Sequence, residues 1–421
     1  MRNVVLSFLI IWAGFAFGAG APPQHSGLQK GDFVAVCGDS ITEQKQYSVF
    51  IEDYLLMCKP QADLKTVQLG WSGETSWGFL SKMPSQALKF DMTVATTCYG
   101  MNDGGYSPMT PDKAKHYRDS MMGVVQAFKK KGVRFIVVGS PGVVDSNTFR
   151  KDPKMAEMYN KTLNEEREIA KDIAQKEGCA FADVYGTMWD AMVKAKAKYG
   201  ANYAVAGGDG VHPDRNGQLC MAYAFLKGLG VDGNVGTITV DLAGNKAEGS
   251  DGHKVLGVKD GAVEVESSRY PFCFDGDPKS TNATAGMIEF LPFNQDLNRY
   301  TLVVTGAGSG DVKVTWGSAS KTFKAAELEK GINLAAEFID NPFSGPFKAV
   351  ERVIRQQQDF ETPLVKTLLN GMGELRRMVP DEADSFDRIT AGAMKRQQAL
   401  QAASAAAVKP LTHTIKIEAV K

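Results

Sequence analysis

From residue 32 to about 230 the chain alternates short apolar runs with longer amphipathic stretches, and this alternation constrains its fold more than any other feature. The runs 33–37, 65–69, 92–98, 134–138 and 179–184 carry Val, Ala, Thr and Phe and predict buried strands. The stretches 47–58, 111–131, 154–176 and 217–229 predict helices. Strands separated by helices cannot close as tight hairpins; they run parallel and need helices over both faces. The expected fold is therefore α/β, a parallel-sheet α/β/α sandwich. Such a sheet gathers its functional loops at the carboxyl ends of its strands.

Four polar clusters fall in such loops. Gly38-Asp39-Ser40-Ile41-Thr42 follows the first run, Gly70-Trp71-Ser72-Gly73-Glu74-Thr75 the second, and Gly100-Met101-Asn102-Asp103 the third. Asp209-Gly210-Val211-His212-Pro213 precedes the closing helix. Alone, Gly-Asp-Ser also reads as an ordinary turn and helix start, which Asp and Ser both favour. Glycine lets a backbone N–H approach a ligand, and an asparagine amide donates without being ionised. These are parts that can hold the oxyanion of an acyl-transfer intermediate. Of the five histidines, His25, His116, His212, His253 and His413, only His212 lies in a loop of this segment with a carboxylate three residues before it. If the sheet domain holds a catalytic base, His212 is the candidate.

The four blocks, in this order and at these strand ends, resemble the SGNH/GDSL hydrolase superfamily over roughly residues 30 to 230. The resemblance implies a flavodoxin-like SGNH hydrolase fold and a serine ester hydrolase acting through an acyl-enzyme. By position it gives Ser40 the role of nucleophile, His212 that of general base and acid, and Asp209 that of orienting the imidazole. The carboxylate is often the least critical member of such a set. The Ser40 N–H, the Gly73 N–H and the Asn102 amide would form the oxyanion hole. One departure is Gln68, where the second block often opens with Asn. The G-x-S-x-G elbow, H-E-x-x-H, Walker A and dinucleotide fingerprints are absent, so no metal and no cofactor is expected.

The remainder bounds location, partners and organisation. Arg2, the apolar run 4–17 and Gly18-Ala19-Gly20-Ala21 read as a signal peptide over 1–21, so a secreted or periplasmic protein is expected, with no stable membrane insertion once the signal is removed. Lys+Arg and Asp+Glu are both 48, which argues against nucleic acid as a partner and implies no oligomeric state. Six scattered cysteines form no C-x-x-C pair and read as free core thiols. A catalytic domain is expected over 28–232. An appended β-rich domain follows over 233–421, with strands at 237–242, 261–266, 300–304, 312–316 and 413–418 arranged as an antiparallel sheet or sandwich. A helical hairpin is inserted at about 344–406, broken at Val379-Pro380, and its charged faces are expected to be solvated. The motifs 272–277 and 331–343 read equally as a lid or substrate wall over the cleft or as a structural module or oligomer contact. Trp71, Trp77, Tyr99 and Tyr106 flank the second and third blocks, where aromatic faces suit a sugar ring. The substrate expected is a small-molecule or glycan ester, with removal of O-acetyl groups from a carbohydrate first. A lipolytic or general short-chain esterase, and a non-catalytic glycan-binding protein on a hydrolase fold, are the alternatives.

Overall fold

The computed structural model describes residues 27–420, so the signal segment expected at 1–21 lies outside the described residues. Five parallel strands, β1 (Phe33–Gly38), β2 (Lys65–Gly70), β3 (Val94–Cys98), β4 (Phe135–Gly139) and β5 (Ala180–Ala182), form one sheet in the order β2-β1-β3-β4-β5. Five of the six residues of β1 are buried, as a strand covered on both faces requires. The strand order changes direction at β1, which makes the crevice between the β1 and β3 loops the switch point where such sheets bind ligands. Register brings the loops together: Gly38 pairs with Gly70 on one side and with Cys98 on the other. Three of the four polar clusters therefore start level with one another.

Helices α1 (Ser40–Glu43), α2 (Tyr47–Asp53), α3 (Ser76–Lys82), α4 (Pro111–Lys131), α5 (Pro153–Glu177), α6 (Val184–Tyr199) and α7 (Arg215–Gly228) complete this part. The stretch 47–58 is α2 continued by one π-helical turn, Tyr54–Cys58. Neither α3 nor α6 is legible in the periodicity. α3 is only seven residues long. α6 follows β5 after the single residue Asp183, whose side chain accepts from the Gly186 N–H and caps it. The apolar run 179–184 thus contains both the strand and the start of the next helix.

The appended part holds β6 (Asn234–Asp241), β7 (Lys246–Gly249), β8 (His253–Lys259), β9 (Ala262–Ser267), β10 (Arg299–Thr305), β11 (Asp311–Trp316), β12 (Ala319–Lys324), β13 (Ile332–Asn333) and β14 (Leu411–Ala419). Short helices α8 (Phe293–Asp296), α9 (Ala325–Lys330) and α10 (Leu334–Glu337) lie among them. One sheet, β12-β11-β14-β9-β8, is antiparallel throughout, and the last strand fills its centre. The other, β13-β10-β6-β7, is mixed, because β6 and β10 pair in parallel. The antiparallel expectation fails there because the chain builds β7 to β9 and a long crossing before returning, which lets β10 re-enter in the direction of β6.

Between α10 and β14 the chain makes its helical excursion: α11 (Ser344–Pro363), a π-helical turn (Leu364–Leu369), α12 (Asn370–Met378) and α13 (Ala383–Ala407). The expectation of solvated faces holds for α12, which buries no residue, and fails for α11. α11 lies along the outer edge of β2, where unpaired backbone groups would otherwise face solvent. Glu361 Oε2 accepts the Gln68 N–H at 2.8 Å, while Gln401 Nε2 and Gln357 Nε2 donate to the Thr66 carbonyl at 2.6 and 3.4 Å. Phe347, Val350 and Ile354 of α11 join the core on one side of the sheet, and Leu364, Val365 and Leu369 join the core on the other. The excursion wraps the sheet edge from face to face.

The segment 272–277 resolves in favour of structure. Phe272 and Phe274 are buried, and the Phe272 ring lies 6.2 Å from Phe50 of α2, 4.9 Å from Phe293 and 5.2 Å from Phe347. All six cysteines are free thiols, five of them buried.

Candidate active site

The first loop decides which residue caps α1. Asp39 takes the N-cap, its Oδ1 accepting the Ile41 N–H at 3.0 Å, so Ser40 becomes the first helical residue. The serine hydroxyl is thereby left for another partner, and its Oγ lies 2.8 Å from His212 Nε2. His212 Nδ1 in turn lies 2.7 Å from Asp209 Oδ2. Asp209 Oδ1 accepts the Val211 and His212 backbone N–H groups at 2.8 and 2.9 Å. Partial burial works to raise the Asp209 carboxyl, but these bonds hold it below the usual range. An ionised carboxylate only accepts, so the Nδ1 proton points to Asp209 and Nε2 faces Ser40 as an acceptor.

The other described histidines do not offer this arrangement. His116 sits against the exposed Trp77 ring, with centroids 6.2 Å apart. His253 and His413 are buried in the appended sheets around Ser267. Burial pushes His413 down to about 3, and its Nδ1 accepts from Trp316 Nε1 at 3.1 Å. His25 lies outside the described residues.

The second and third blocks lock into each other. Asn102 Nδ2 donates to the Glu74 carbonyl at 2.9 Å and lies 3.5 Å from Asp39 Oδ2. Asp103 accepts from Ser76 N and Oγ and from the Gly100 N–H, tying the β3 loop to the start of α3. Gly70 must be glycine: a Cβ there would stand 2.3 Å from the Glu43 amide nitrogen of α1. Gly73 has φ +73° and is solvent-exposed. Neither the Gly73 nor the Ser40 N–H has an acceptor among the described residues, and the first N–H groups of a helix have no intrahelical one. Gln68, the departure from the usual Asn, donates to the Thr42 carbonyl and accepts from the Gly70 N–H, so it ties the end of β2 to α1.

Electrostatics at the base of the site depend on Asp39. Burial pushes its carboxyl up to about 7; the Ile41 N–H opposes that, Asp103 adds to it, and His212 opposes it. Of the four aromatics, Tyr99 is fully buried in the core and does not reach the site. Trp77 is exposed on α3. Trp71 and Tyr106 are half-buried beside these loops, with the Tyr106 hydroxyl 3.5 Å from Asn102 Oδ1 and its ring stacked on Tyr159 at 4.9 Å.

The five residues singled out in the sequence thus fall into two groups, Ser40–His212–Asp209 in direct contact and Gly73 with Asn102 on adjoining turns. Glu43, Asp103 and Lys366 had been given no role. Asp103 lies within a quoted block, and Glu43 follows Ser40 at a spacing that reads as a helix start. Lys366 carries no sequence signal, since its partner Glu43 is 323 positions away.

Residues 36–219 match the model of the GDSL-like lipase/acylhydrolase family. No curated protein sequence matches the chain. Among solved structures, a gut microbial diltiazem-metabolizing enzyme superposes with a TM-score of 0.71 at 20% identity, over 94% of this chain and 99% of its own. An acetylxylan esterase from Geobacillus stearothermophilus aligns over 48% of this chain and 95% of its own, at 20% identity and a TM-score of 0.40. The first likeness shows that the sheet domain and the appended part occur together in one fold.

Proposed function

We propose that this chain, whose residues 36–219 match the GDSL-like lipase/acylhydrolase model, is an ester hydrolase in which Ser40, His212 and Asp209 carry the reaction, and that the substrate is an O-acetylated carbohydrate. The observation that carries this reading is the unbroken contact from Ser40 Oγ through the His212 ring to Asp209, at 2.8 and 2.7 Å. Ser40 Oγ attacks the ester carbonyl carbon as its proton passes to His212 Nε2. The negative charge on the carbonyl oxygen is met by the Ser40 and Gly73 N–H groups and by the Asn102 amide, which exchanges its long 3.5 Å contact with Asp39 Oδ2 for the oxyanion. Collapse expels the alcohol, which takes the proton from Nε2. A water molecule then repeats the sequence on the acyl-enzyme and releases the acid.

Ser72, Gly73 and Asp209 are exposed, so the site opens to the surface and gives a bulky alcohol access to a small acyl group. Trp71 and Tyr106 beside the loops provide faces on which a sugar ring can stack. The apolar segment at the start of the chain supports export to a secreted or periplasmic location, where polysaccharides are met.

Acetate release from acetylated polysaccharides, compared between wild type and Ser40→Ala, tests the reading. Release by wild type only is expected, with p-nitrophenyl acetate cleaved and long-chain p-nitrophenyl esters poor substrates. Preference for long acyl chains would replace the carbohydrate reading by a lipolytic one. Equal background rates in both proteins on every ester would leave a non-catalytic glycan-binding role.

A further inference from the structure

One side chain of the helical excursion meets the Ser40 helix at Glu43. Lys366, in the π-helical turn after α11, donates from Nζ to Glu43 Oε1 at 2.8 Å and to Oε2 at 3.0 Å. Glu43 closes α1, the helix that Ser40 opens. The same Oε2 accepts the Ser72 backbone N–H at 2.5 Å and the Ser72 hydroxyl at 2.6 Å. Burial works to raise the Glu43 carboxyl, but the bonds from Lys366 and Ser72 hold it below the ordinary range, so it remains a charged acceptor. One carboxylate thus joins the nucleophile helix, the turn that carries Gly73 and the helical excursion.

Every neighbour of Gly73 is held from outside. Both the Lys366 and Lys82 ammonium groups lie against the Trp71 ring, 5.0 and 4.2 Å from its centroid. Lys82 also pairs with Glu74 at 2.5 Å, and the Glu74 carbonyl receives the Asn102 amide. Gly73 itself is exposed, and apart from its chain neighbours no atom lies within 4 Å of where its Cβ would stand. With open space on that side of Gly73, the direction of its N–H depends on how firmly its chain neighbours are held.

We infer that Lys366 is a positioning residue for this turn: acting through Glu43 and Ser72, it aims the Gly73 N–H at the developing oxyanion, so the appended half sets the catalytic rate. The inference rests on the ester-hydrolase reading above. A misaligned oxyanion donor weakens binding of the transition state more than of the ground state, so the loss falls on kcat rather than KM.

Steady-state kinetics on p-nitrophenyl acetate decide it, using the full chain as wild type, Ser40→Ala, Lys366→Met, Lys366→Arg, Glu43→Gln and the double variant Lys366→Met/Glu43→Gln. Lys366→Met keeps an apolar stem beside Trp71 and removes the charge. It is expected to lower kcat about tenfold with KM within about twofold, and Lys366→Arg to recover most of the loss. The double variant is expected to be no slower than the worse single one, because both substitutions break one relay. Unchanged kcat in folded Lys366→Met, a loss that Arg does not recover, or additive losses would each overturn the positioning role. Should Lys366→Met not fold, Glu43→Gln serves instead: it removes the charge that Lys366 and Ser72 share without touching the excursion, and an unchanged kcat there also overturns the inference. If wild type is no faster than Ser40→Ala, the hydrolase reading fails and takes this inference with it. If wild type is active and Lys366→Met equally so, only the positioning role fails.

Discussion

Asp39 and Ser40 are both good helix caps, and the site depends on which one takes the position. Because Asp39 accepts the Ile41 N–H, the Ser40 hydroxyl is free to meet His212. Asn102 stands at a similar junction, its amide donating to the Glu74 carbonyl at 2.9 Å and, over a longer 3.5 Å contact, to Asp39 Oδ2. Asn102→Ala should lower kcat roughly 10²–10³-fold, about 2.7–4 kcal/mol of transition-state stabilisation, with a near-wild-type circular dichroism spectrum. An unchanged kcat would remove Asn102 from the oxyanion hole. For Asp209, 56% of the side-chain surface is exposed, so water can take over part of its role at Nδ1. Asp209→Ala should therefore lower kcat by about 10²-fold, short of the ~10⁴-fold typical when a buried triad aspartate is changed. A loss as deep as that of Ser40→Ala in the same assay would show that solvent gives no such help.

At the scale of elements, the outer edge of β2 is covered by polar side chains rather than by another strand. Glu361 is central: besides the Gln68 N–H it accepts from Gln357 Nε2 and Gln397 Nε2, each at 3.1 Å. Burial, with the neighbouring Glu52 carboxyl adding to it, pushes Glu361 up to about 8. Burial also raises Glu52, which accepts from Gln358 at 2.8 Å. In the unfolded chain a glutamate titrates near ~4.3, so between there and about 8 the folded state holds more protons than the unfolded one. The contribution to stability is complete below the unfolded value and is lost as pH rises through about 8. Thermal unfolding followed from pH 6 to pH 9 should show a falling Tm, and Glu52→Gln should flatten that fall by removing the like charge. A wild-type Tm that does not drop over this range would contradict a protonated Glu361.

Across the whole molecule, the sheet domain and the appended part share a core. Phe50 and Tyr54 of the α2 region, Phe225 of α7, and Phe272, Phe293, Tyr300 and Phe347 of the appended part belong to one buried cluster. Hydrogen bonds cross the same boundary: the Asn216 N–H donates to the Thr281 carbonyl at 3.0 Å, and Thr281 Oγ1 donates to Asp214 Oδ2 at 2.6 Å, both beside the His212 loop. A chain ended near residue 232 would bare this apolar surface together with the edge of β2. Such a fragment should aggregate, or give a near-UV circular dichroism spectrum without fixed aromatic signals. A monodisperse, active fragment would show that the appended part is dispensable. Among the described residues no helix is long and apolar enough to cross a membrane.

What the sequence by itself determined is local and periodic. The apolar runs specify the parallel sheet because a strand covered on both faces is mostly apolar, and the blocks stand out because the glycines, Ser40 and Asn102 interrupt those runs at the strand ends, while Asp209 and His212 stand in the loop before the closing helix. The break at Val379-Pro380 is legible for the same reason, since proline cannot continue the helix before it. What only the tertiary structure decided is everything that depends on distant partners. Whether Asp39 or Ser40 caps α1, which of the flanking aromatics reach the surface, the parallel return of β10 to β6, and the wrapping of α11 around β2 are all settled by long-range packing. A lysine on a charged helix looks the same in sequence whether it meets water or Glu43, and only the folded chain, by bringing residues 43 and 366 within hydrogen-bonding distance, separates the two.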